Sequence, residues 1–418
     1  MVYILKNAWA LLLGMMLLMV GNGLQGTLLG IRGAVEGFSP TTMSYIMSGY
    51  FLGFLGGSYM APELIRRVGH VRVFAALGSL ISATFILYAA IPDPFAWAIM
   101  RIIVGFCFAG VYVVAESWLN DAATNETRGK ALSAYVIVQM IGIVSAQVLL
   151  NFADVGGYTL FVVMSVLVSL AFMPMLLSST TAPVFRASKR KSLKELFVVS
   201  PLGCVAIFLL GGIFAILFGM PAVYGTEVGM SVPEISVFVG LIYFGGLVWQ
   251  YPIGWVSDRM DRRKLIMAIT FFGGVSMFIG VFMIDFQIMR YVLAFIVGGV
   301  ANPLYSLIIA YTNDYLEPDD MASAAGGLIF INGIGAVGMP ILAGWSMTNF
   351  GPNSFFVILA VLFSCITGYA AYRTTRRAPT PVEETSAYAP VLPQSSPIAV
   401  EVAQEVAIEM GLGGRREQ

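Results

Sequence analysis

Long hydrophobic runs dominate the chain, and short polar segments separate them. A helix needs about 20 apolar residues to cross the hydrocarbon core of a bilayer. We predict such helices at residues 8–30, 40–60, 72–91, 95–118, 130–151, 157–177, 201–224, 235–256, 265–284, 288–312, 322–345 and 353–372. These runs are too long for the roughly ten-residue alternating strands of a membrane barrel. The pattern therefore predicts an all-α membrane protein with twelve transmembrane helices.

Basic residues gather on one side of the predicted helices. All 23 Lys and Arg residues except Arg32, Arg101 and Arg290 fall on the side that carries both termini. Cytoplasmic loops carry an excess of Lys and Arg, whereas acidic residues have little influence on orientation. The acidic loop that contains Glu317 and Asp320 therefore does not change the assignment. We expect an integral protein of the plasma (bacterial inner) membrane with both termini in the cytoplasm.

The chain contains an internal repeat with a constant offset of 193 residues. The offset aligns Gly26/Gly219, Pro40/Pro233, Tyr50/Tyr243, Phe51/Phe244, Gly53/Gly246, Gly105/Gly298, Tyr112/Tyr305, Asn120/Asn313, Asp121/Asp314 and Gly142/Gly335. Six predicted helices separate the two copies, so the copies have the same orientation in the membrane. Two parallel six-helix repeats about an axis along the membrane normal form a known transporter architecture.

The repeat and the composition divide the chain into four parts. We predict an N-terminal six-helix bundle at 1–177, a basic cytoplasmic linker at 178–200 and a C-terminal six-helix bundle at 201–377. From residue 378 to 418 Pro, Ser, Glu and Ala dominate, which is typical of disorder. We therefore expect a disordered cytoplasmic tail, in which only residues 398–410 could form a weak helix.

Composition excludes several classes of protein. The chain is 58% hydrophobic and 11% charged, with a mean hydropathy of +0.84, whereas soluble domains have about 25% charged residues. Its formal net charge is zero, so no global field favours nucleic acid. The single histidine, His70, excludes paired-histidine metal motifs, and the chain has no Walker A motif. We predict no metal, no cofactor, no enzymatic activity and no nucleic-acid partner.

The strongest motif is Gly254-Trp-Val-Ser-Asp258-Arg259-Met-Asp261-Arg262-Arg263-Lys264, between the eighth and ninth helices. It resembles the G-x-x-x-D-R-x-[GD]-R-R loop of the major facilitator superfamily. The corresponding loop after the second helix keeps basic residues but lacks the Asp-Arg pair. Ala115-Glu116-Ser117-Trp118-Leu119-Asn120, Pro303-Leu304-Tyr305-Ser306 and Asn313-Asp314 resemble the poorly characterised YcaD-like bacterial branch of that family.

The resemblance implies a secondary transporter with two pseudo-symmetric six-helix bundles. In the Gly254 motif, Asp258 is expected to face the positive N-terminus of a neighbouring helix. Arg262 would reach a second acid, for which Asp314 is the candidate. Such a cluster, together with Gly254, Arg259 and Arg263, could hold the cytoplasmic side closed; the alternative is a solvated basic loop.

Two charged residues are candidates for substrate or proton handling within the membrane. Arg101 resembles the R-x-x-x-G element of the family's fourth helix, and a charge at that depth normally faces a cavity or a partner. It would contact an anionic substrate or control a proton site, or it would be structural. Glu116 could carry a coupling proton. The alternative for Glu116, which we slightly favour, is a salt bridge with Arg128 or Arg72.

Polar residues in the other predicted helices are candidates to line a central cavity, because such groups need partners in lipid. They are Asn22, Gln25, Gln139, Tyr224, Tyr243, Gln250, Asn302, Tyr305 and Asn332. Most of them are expected to form hydrogen bonds between helices instead.

The favoured function is secondary active transport of a small solute by alternating access, with protons as the coupling ion. An uncoupled facilitator and a membrane sensor or scaffold that has lost transport remain alternatives. The expected partners are the solute, protons and membrane lipid, and we expect a monomer.

Overall fold

The computed structural model describes residues 2–177, 192–283, 285–376, 381 and 385–414, without the side chains of 2–7, 122, 125, 126, 318, 319, 322 and 408–414. This described part is helical and contains no strand, so the predicted all-α class is confirmed. The helices are α1 (Val2–Val35), α2 (Pro40–Val68), α3 (His70–Ala90), α4 (Pro94–Ala122), α5 (Asn125–Leu149), α6 (Thr159–Leu176), α7 (Leu193–Val199), α8 (Pro201–Gly219), α9 (Pro221–Glu227), α10 (Val232–Ser257), α11 (Arg262–Phe282), α12 (Gln287–Asn313), α13 (Pro318–Phe350), α14 (Ser354–Thr374) and α15 (Pro397–Gly414).

Eleven helices of the described chain are long and apolar enough to cross a membrane. The second predicted span corresponds to α2, which is 29 residues long and therefore also has the length to cross. Its hydropathy is lower because it contains many Ser, Thr and Gly residues and ends with Glu63, Arg66 and Arg67. It packs between α4 and α13, so protein covers much of its polar surface.

The seventh predicted run, 201–224, is two helices rather than one. α8 ends at Gly219 and α9 begins at Pro221, which has no N–H to continue the hydrogen bonds of α8. A Cβ atom on Gly219 would lie 2.9 Å from the Cβ atom of Met47. The break therefore occurs where the chain passes very close to α2.

The repeat is visible in the way that its helices pack. A Cβ atom on Gly105 in α4 would lie 1.9 Å from the backbone oxygen of Tyr50 in α2. The equivalent glycine, Gly298 in α12, would place a Cβ atom 1.7 Å from the backbone oxygen of Ile242 in α10. Glycine lets helix backbones approach closely in membranes. The same crossing thus occurs in the N-terminal half (α1–α6) and in the C-terminal half (α8–α14).

The two halves contact each other directly on the face where α2 and α10 begin, which we call the far face. Thr41 at the start of α2 donates to the hydroxyl of Thr348 near the end of α13, at 2.8 Å. Asn151, just after α5, donates to the hydroxyl of Ser236 in α10, at 3.1 Å. We call the opposite face, where α10 and α12 end, the tail face.

Residues 385–414 differ from the predicted disordered tail. The chain from 385 to 407, which we call the tail segment, lies between the halves, and α15 packs on α4, α5 and α13. Val391, Leu392 and Val400 are buried. Composition did not predict this order, because the apolar surface that buries these residues belongs to distant helices. Residues 178–191 of the predicted linker and 378–380, 382–384 and 415–418 of the predicted tail lie outside the described residues.

Candidate functional site

Asp258, Arg262 and Asp314, which we call the charge cluster, lie together on the tail face. Arg262 begins α11, and its Nη1 atom is 2.5 Å from Oδ1 of Asp314, directly after α12. Its Nη2 atom is 3.4 Å from Oδ1 of Asp258, directly after α10. The side chains of Arg262 and Asp314 are 1% and 3% exposed, whereas Asp258 is 37% exposed. The predicted contact between Arg262 and Asp314 is therefore the main ion pair of this cluster.

The two acids of the cluster have different surroundings. Burial raises the pKa of Asp314 above its ordinary value, and the Arg262 guanidinium opposes this change. Besides Arg262, Oδ1 of Asp258 accepts the backbone N–H of Tyr388, at 2.8 Å. The cluster thus joins two loops of the C-terminal half, α10–α11 and α12–α13, to the tail segment.

The other residues of the motif shape the surroundings of the cluster. Arg259 stacks on the Trp255 ring, 4.2 Å from its centroid. Arg263 pairs with Asp261, the residue that caps α11. Gly254 provides space for the tail segment, since a Cβ atom there would lie 2.6 Å from the Tyr388 ring.

Arg101 is fully buried in α4 and faces polar and aromatic groups rather than lipid. Its Nη1 atom donates to Oε1 of Gln25 at 3.0 Å. Its guanidinium lies 4.9 Å from the ring centroid of Tyr50, a cation–π contact. Asn22 donates to the Tyr50 hydroxyl at 3.4 Å. Three predicted candidates, Asn22, Gln25 and Arg101, therefore belong to one network around Tyr50.

Glu116 is buried in α4 and forms no ion pair among the residues that the structure describes. The Tyr135 hydroxyl donates to its Oε1 atom at 3.2 Å, and the backbone N–H of Ser396 donates to Oε2 at 2.9 Å. Arg128 instead pairs with Glu405 of α15. The salt bridge between Glu116 and Arg128 or Arg72, which the sequence slightly favoured, is thus not observed.

A central cavity lies between the two halves. The N-terminal half contributes Asn22, Tyr50, Phe51, Phe54, Leu55 and Ser58, the C-terminal half contributes Gly211, Phe214, Phe218, Ile329, Asn332, Gly333 and Ala336, and the tail segment contributes Pro393 and Gln394. The walls are mainly aromatic and aliphatic, with carboxamides on both sides. Of the predicted candidates, Asn22 and Asn332 line this cavity.

The remaining candidates lie outside that lining. Asn302 donates to the backbone of Gly298 in its own helix, and its Oδ1 atom has no hydrogen-bond partner in the described structure. The Tyr305 hydroxyl and Oε1 of Gln139 are also buried without a described partner. Gln250 donates to Ser306 and Tyr388. Tyr224 and Tyr243 are buried in α9 and α10.

Sequence reasoning missed Tyr50, Ser306 and the tail segment. The repeat could have pointed to Tyr50, because the offset of 193 residues aligns Tyr50 with Tyr243, which was a candidate. Ser306 accepts the backbone N–H of Val391 at 2.9 Å and donates to its carbonyl oxygen at 3.0 Å. No local pattern pointed to this pair, because it joins residues 85 positions apart.

Comparison with known proteins identifies the family. The family model described as Major Facilitator Superfamily matches residues 11–225 and 202–403. A protein of Escherichia fergusonii, described as an uncharacterized MFS-type transporter, YcaD, is 25% identical over 353 residues, which cover 84% of this chain and 91% of that protein. A Salmonella typhimurium protein with the same description is 24% identical over 379 residues, 89% of this chain and 97% of the relative. The predicted family and branch are confirmed.

Solved structures of transporters share the fold. The nucleoside transporter NupG matches with a TM-score of 0.70 and 15% identity over 88% of this chain and 98% of that chain. A bacterial homolog of the human lysosomal transporter Spinster, in an inward-facing and unoccupied conformation, has a TM-score of 0.68 and 12% identity, with 97% and 98% covered. FucP in the outward conformation has a TM-score of 0.57 and 16% identity, with 89% and 99% covered.

Proposed function

Because the chain belongs to the major facilitator superfamily, a family of transporters and not of enzymes, we propose that it is a secondary active transporter for a small solute. The observation that carries this proposal is the central cavity, to which both halves contribute a carboxamide, Asn22 and Asn332. A site between two repeats can be exposed to either side when one half rocks against the other. Direct contacts on the far face, such as Thr41 with Thr348, would open in that motion.

The cavity lining favours a solute with a flat apolar part and a hydrogen-bonding edge. Phe51, Phe54, Phe214 and Phe218 offer ring faces, and Asn22 and Asn332 offer donors and acceptors. NupG is described as a nucleoside transporter, and FucP as a fucose:proton symporter. Nucleosides and fucose are therefore the first solutes to test.

Glu116 is the candidate for proton coupling, and the charge cluster is the candidate gate. A buried carboxylate without a cationic partner is costly in a membrane and is typical of proton relays. Arg262 and Asp314 join the start of α11 to the end of α12, so a change in this ion pair would accompany movement of these helices.

We also propose that the protein is a monomer of the bacterial inner membrane with both termini in the cytoplasm, which agrees with the basic loops and the bacterial relatives.

The decisive experiment is solute flux into proteoliposomes that contain the purified protein. A thermal-shift screen against nucleosides, sugars and other metabolites first selects ligands, because any ligand of the folded state stabilises it. We expect uptake of a selected solute to rise with an inward proton gradient and to fall when a protonophore is added. Asn332→Ala should weaken uptake, whereas Ser79→Ala, an exposed serine that bonds within α3, should not.

Each result separates the alternatives. Flux that a protonophore does not change would favour the uncoupled facilitator. No binding and no flux across the panel would overturn the transporter proposal in favour of a sensor or scaffold.

A further inference from the structure

We propose that the cleft between the two halves on the tail face is a peptide-binding site, and that its ligand is the tail segment of the same chain, which blocks this cleft until it is released. This inference goes beyond the proposed transport function, because it concerns what closes one side of the protein. It depends on three groups of contacts, one with each half and one at the cavity.

The first part of the tail segment binds the charge cluster of the C-terminal half. The backbone N–H and the hydroxyl of Ser386 donate to Oδ1 of Asp314, at 3.1 and 3.2 Å. Arg262 donates to the carbonyl oxygen of Ser386. The backbone N–H of Tyr388 donates to Asp258, and its ring fills the space beside Gly254. The segment thus forms hydrogen bonds with all three residues of the charge cluster, Asp258, Arg262 and Asp314.

The middle of the tail segment reaches the solute cavity. Val391 forms two backbone hydrogen bonds with the Ser306 hydroxyl in α12, and its side chain is buried. Pro393 and Gln394 follow directly and line the central cavity opposite Asn22 and Asn332. A solute in that cavity would meet the segment before it could leave through the tail face.

The last part of the tail segment binds the N-terminal half and returns to the C-terminal half. The backbone N–H of Ser396 donates to Glu116, the proposed proton carrier. Glu405 pairs with Arg128 at the start of α5, and Gln404 donates to Oδ1 of Asn313 at 2.9 Å. The segment therefore bridges the two halves across the tail face.

Docking across both halves restrains the motion that transport needs. Opening the tail face separates Glu116 and Arg128 from the charge cluster, and the tail segment holds all of them. Ten residues connect the end of α14 to the segment, and a tether of this length gives an effective concentration in the millimolar range. Individually weak contacts can therefore keep the site occupied, while a competing partner of the tail could still release it.

A disulfide tests whether the segment docks. A Cβ atom on Gly129 would lie 3.0 Å from Cγ1 of Val406, which is close to the geometry that a disulfide requires. We expect Gly129→Cys/Val406→Cys, in a full chain whose three natural cysteines are replaced by alanine, to cross-link under mild oxidation. Because Val406 is buried, the thiols are counted with maleimide after unfolding, and two should be missing until a reductant is added. In the control, Gly129→Cys/Ile398→Cys, the second position lies about 12 Å from position 406 along α15, so this pair should not cross-link and should keep both thiols when the protein is unfolded. No cross-link in the first pair would overturn the proposal.

A second measurement tests whether the segment blocks the cleft. Ser58→Cys in the same background places one thiol in the cavity lining. An impermeant thiol reagent applied from the tail side should label it slowly, and Val391→Asp, which puts a carboxylate into a buried site, should raise the rate about tenfold or more. Pro381→Asp, at an exposed position before the segment, should leave the rate unchanged. Equal rates in Val391→Asp and the parent would overturn the block.

A charge reversal provides an independent check if Val391→Asp does not fold. Glu405→Arg should increase the labelling rate, and adding Arg128→Glu should restore protection, since the pair is re-formed with opposite sign. Failure of the double variant to restore protection would contradict specific docking.

These assays need no solute, so they test the segment even if the transport proposal fails. With a solute in hand, the cross-link should stop flux reversibly, and undiminished flux in the cross-linked protein would contradict inhibition while transport itself stands.

Discussion

Arg262 and Asp314 form an ion pair of 2.5 Å in which both side chains are almost completely buried. Arg262 also donates to the backbone oxygen of Ala310 at 3.2 Å and to the Ser257 hydroxyl at 3.1 Å. The guanidinium is therefore held from several sides, but only Asp314 supplies a buried negative charge to it in the described structure.

Removal of that charge should destabilise the protein more than removal of its neighbour. We expect Asp314→Asn to cost about 3–5 kcal/mol, because a buried guanidinium loses its counter-ion. Asp258→Asn, at the more exposed and longer contact, should cost about 0–1 kcal/mol. Thermal unfolding in detergent measures both, and equal losses would contradict the assignment of Asp314 as the main partner.

Asp258→Asn should instead act on the transport cycle. If the charge cluster is a gate, this variant slows solute exchange in proteoliposomes and leaves solute affinity in detergent largely intact. The reason is that Asp258 lies on the tail face, away from the cavity lining of Asn22 and Asn332. Equal losses in exchange and affinity would argue against a gate.

The glycine crossings give a prediction about stability. Gly298→Ala should destabilise the protein by about 3 kcal/mol or more, because the new Cβ atom would lie 1.7 Å from a backbone oxygen and α10 and α12 would have to separate. Gly338→Ala in α13 is the matched control, since no atom lies within 4 Å of its added Cβ atom. Melting temperatures of both variants test this, and a similar decrease for both would contradict the close crossing.

Glu116→Gln tests the proposed proton carrier. We expect this variant to lose uptake driven by a proton gradient but to keep exchange between labelled and unlabelled solute, because a carboxamide keeps the shape of the group and cannot release a proton. Tyr135→Phe removes one hydrogen bond and keeps the carboxylate, so it should retain some coupling. Gradient-driven uptake by Glu116→Gln at the parent rate would assign the proton to another group.

Docking of the tail segment should depend on pH through Glu401. Burial and the nearby carboxylate of Glu405, itself paired with Arg128, raise the pKa of Glu401 in the docked segment. In a released, hydrated segment the pKa would be about 4.3. The docked state thus takes up a proton more readily, so docking strengthens as pH falls through the raised pKa and weakens as pH rises above it.

The measurement is the labelling of the Ser58→Cys reporter between roughly pH 8 and pH 5, the interval above the ordinary pKa. The parent should become better protected at the acidic end relative to Glu401→Gln at the same pH, which removes the effect of pH on the thiol itself. A constant ratio between the two proteins would exclude Glu401 as the source.

Local sequence patterns predicted the structural features that depend on residues close together in the chain. Apolar runs predicted the helices. The position of Arg262 in the Gly254 motif and the position of Asp314 at the end of the tenth run predicted the ion pair. Pro221 interrupts one run at a single position, which hydropathy averaging does not detect. The tail segment was missed because Val391 and Val400 are buried only by helices far away in the chain, and isolated Val residues among Glu and Ser are also typical of disorder.

The position of α15 also has a practical consequence for handling the protein. An affinity tag or fluorescent protein fused after α15 would attach a large domain to a helix that packs on α4, α5 and α13. We expect such a fusion to disturb the packing of α15 and to change the behaviour that it is meant to report. Purification tags therefore belong at the amino end.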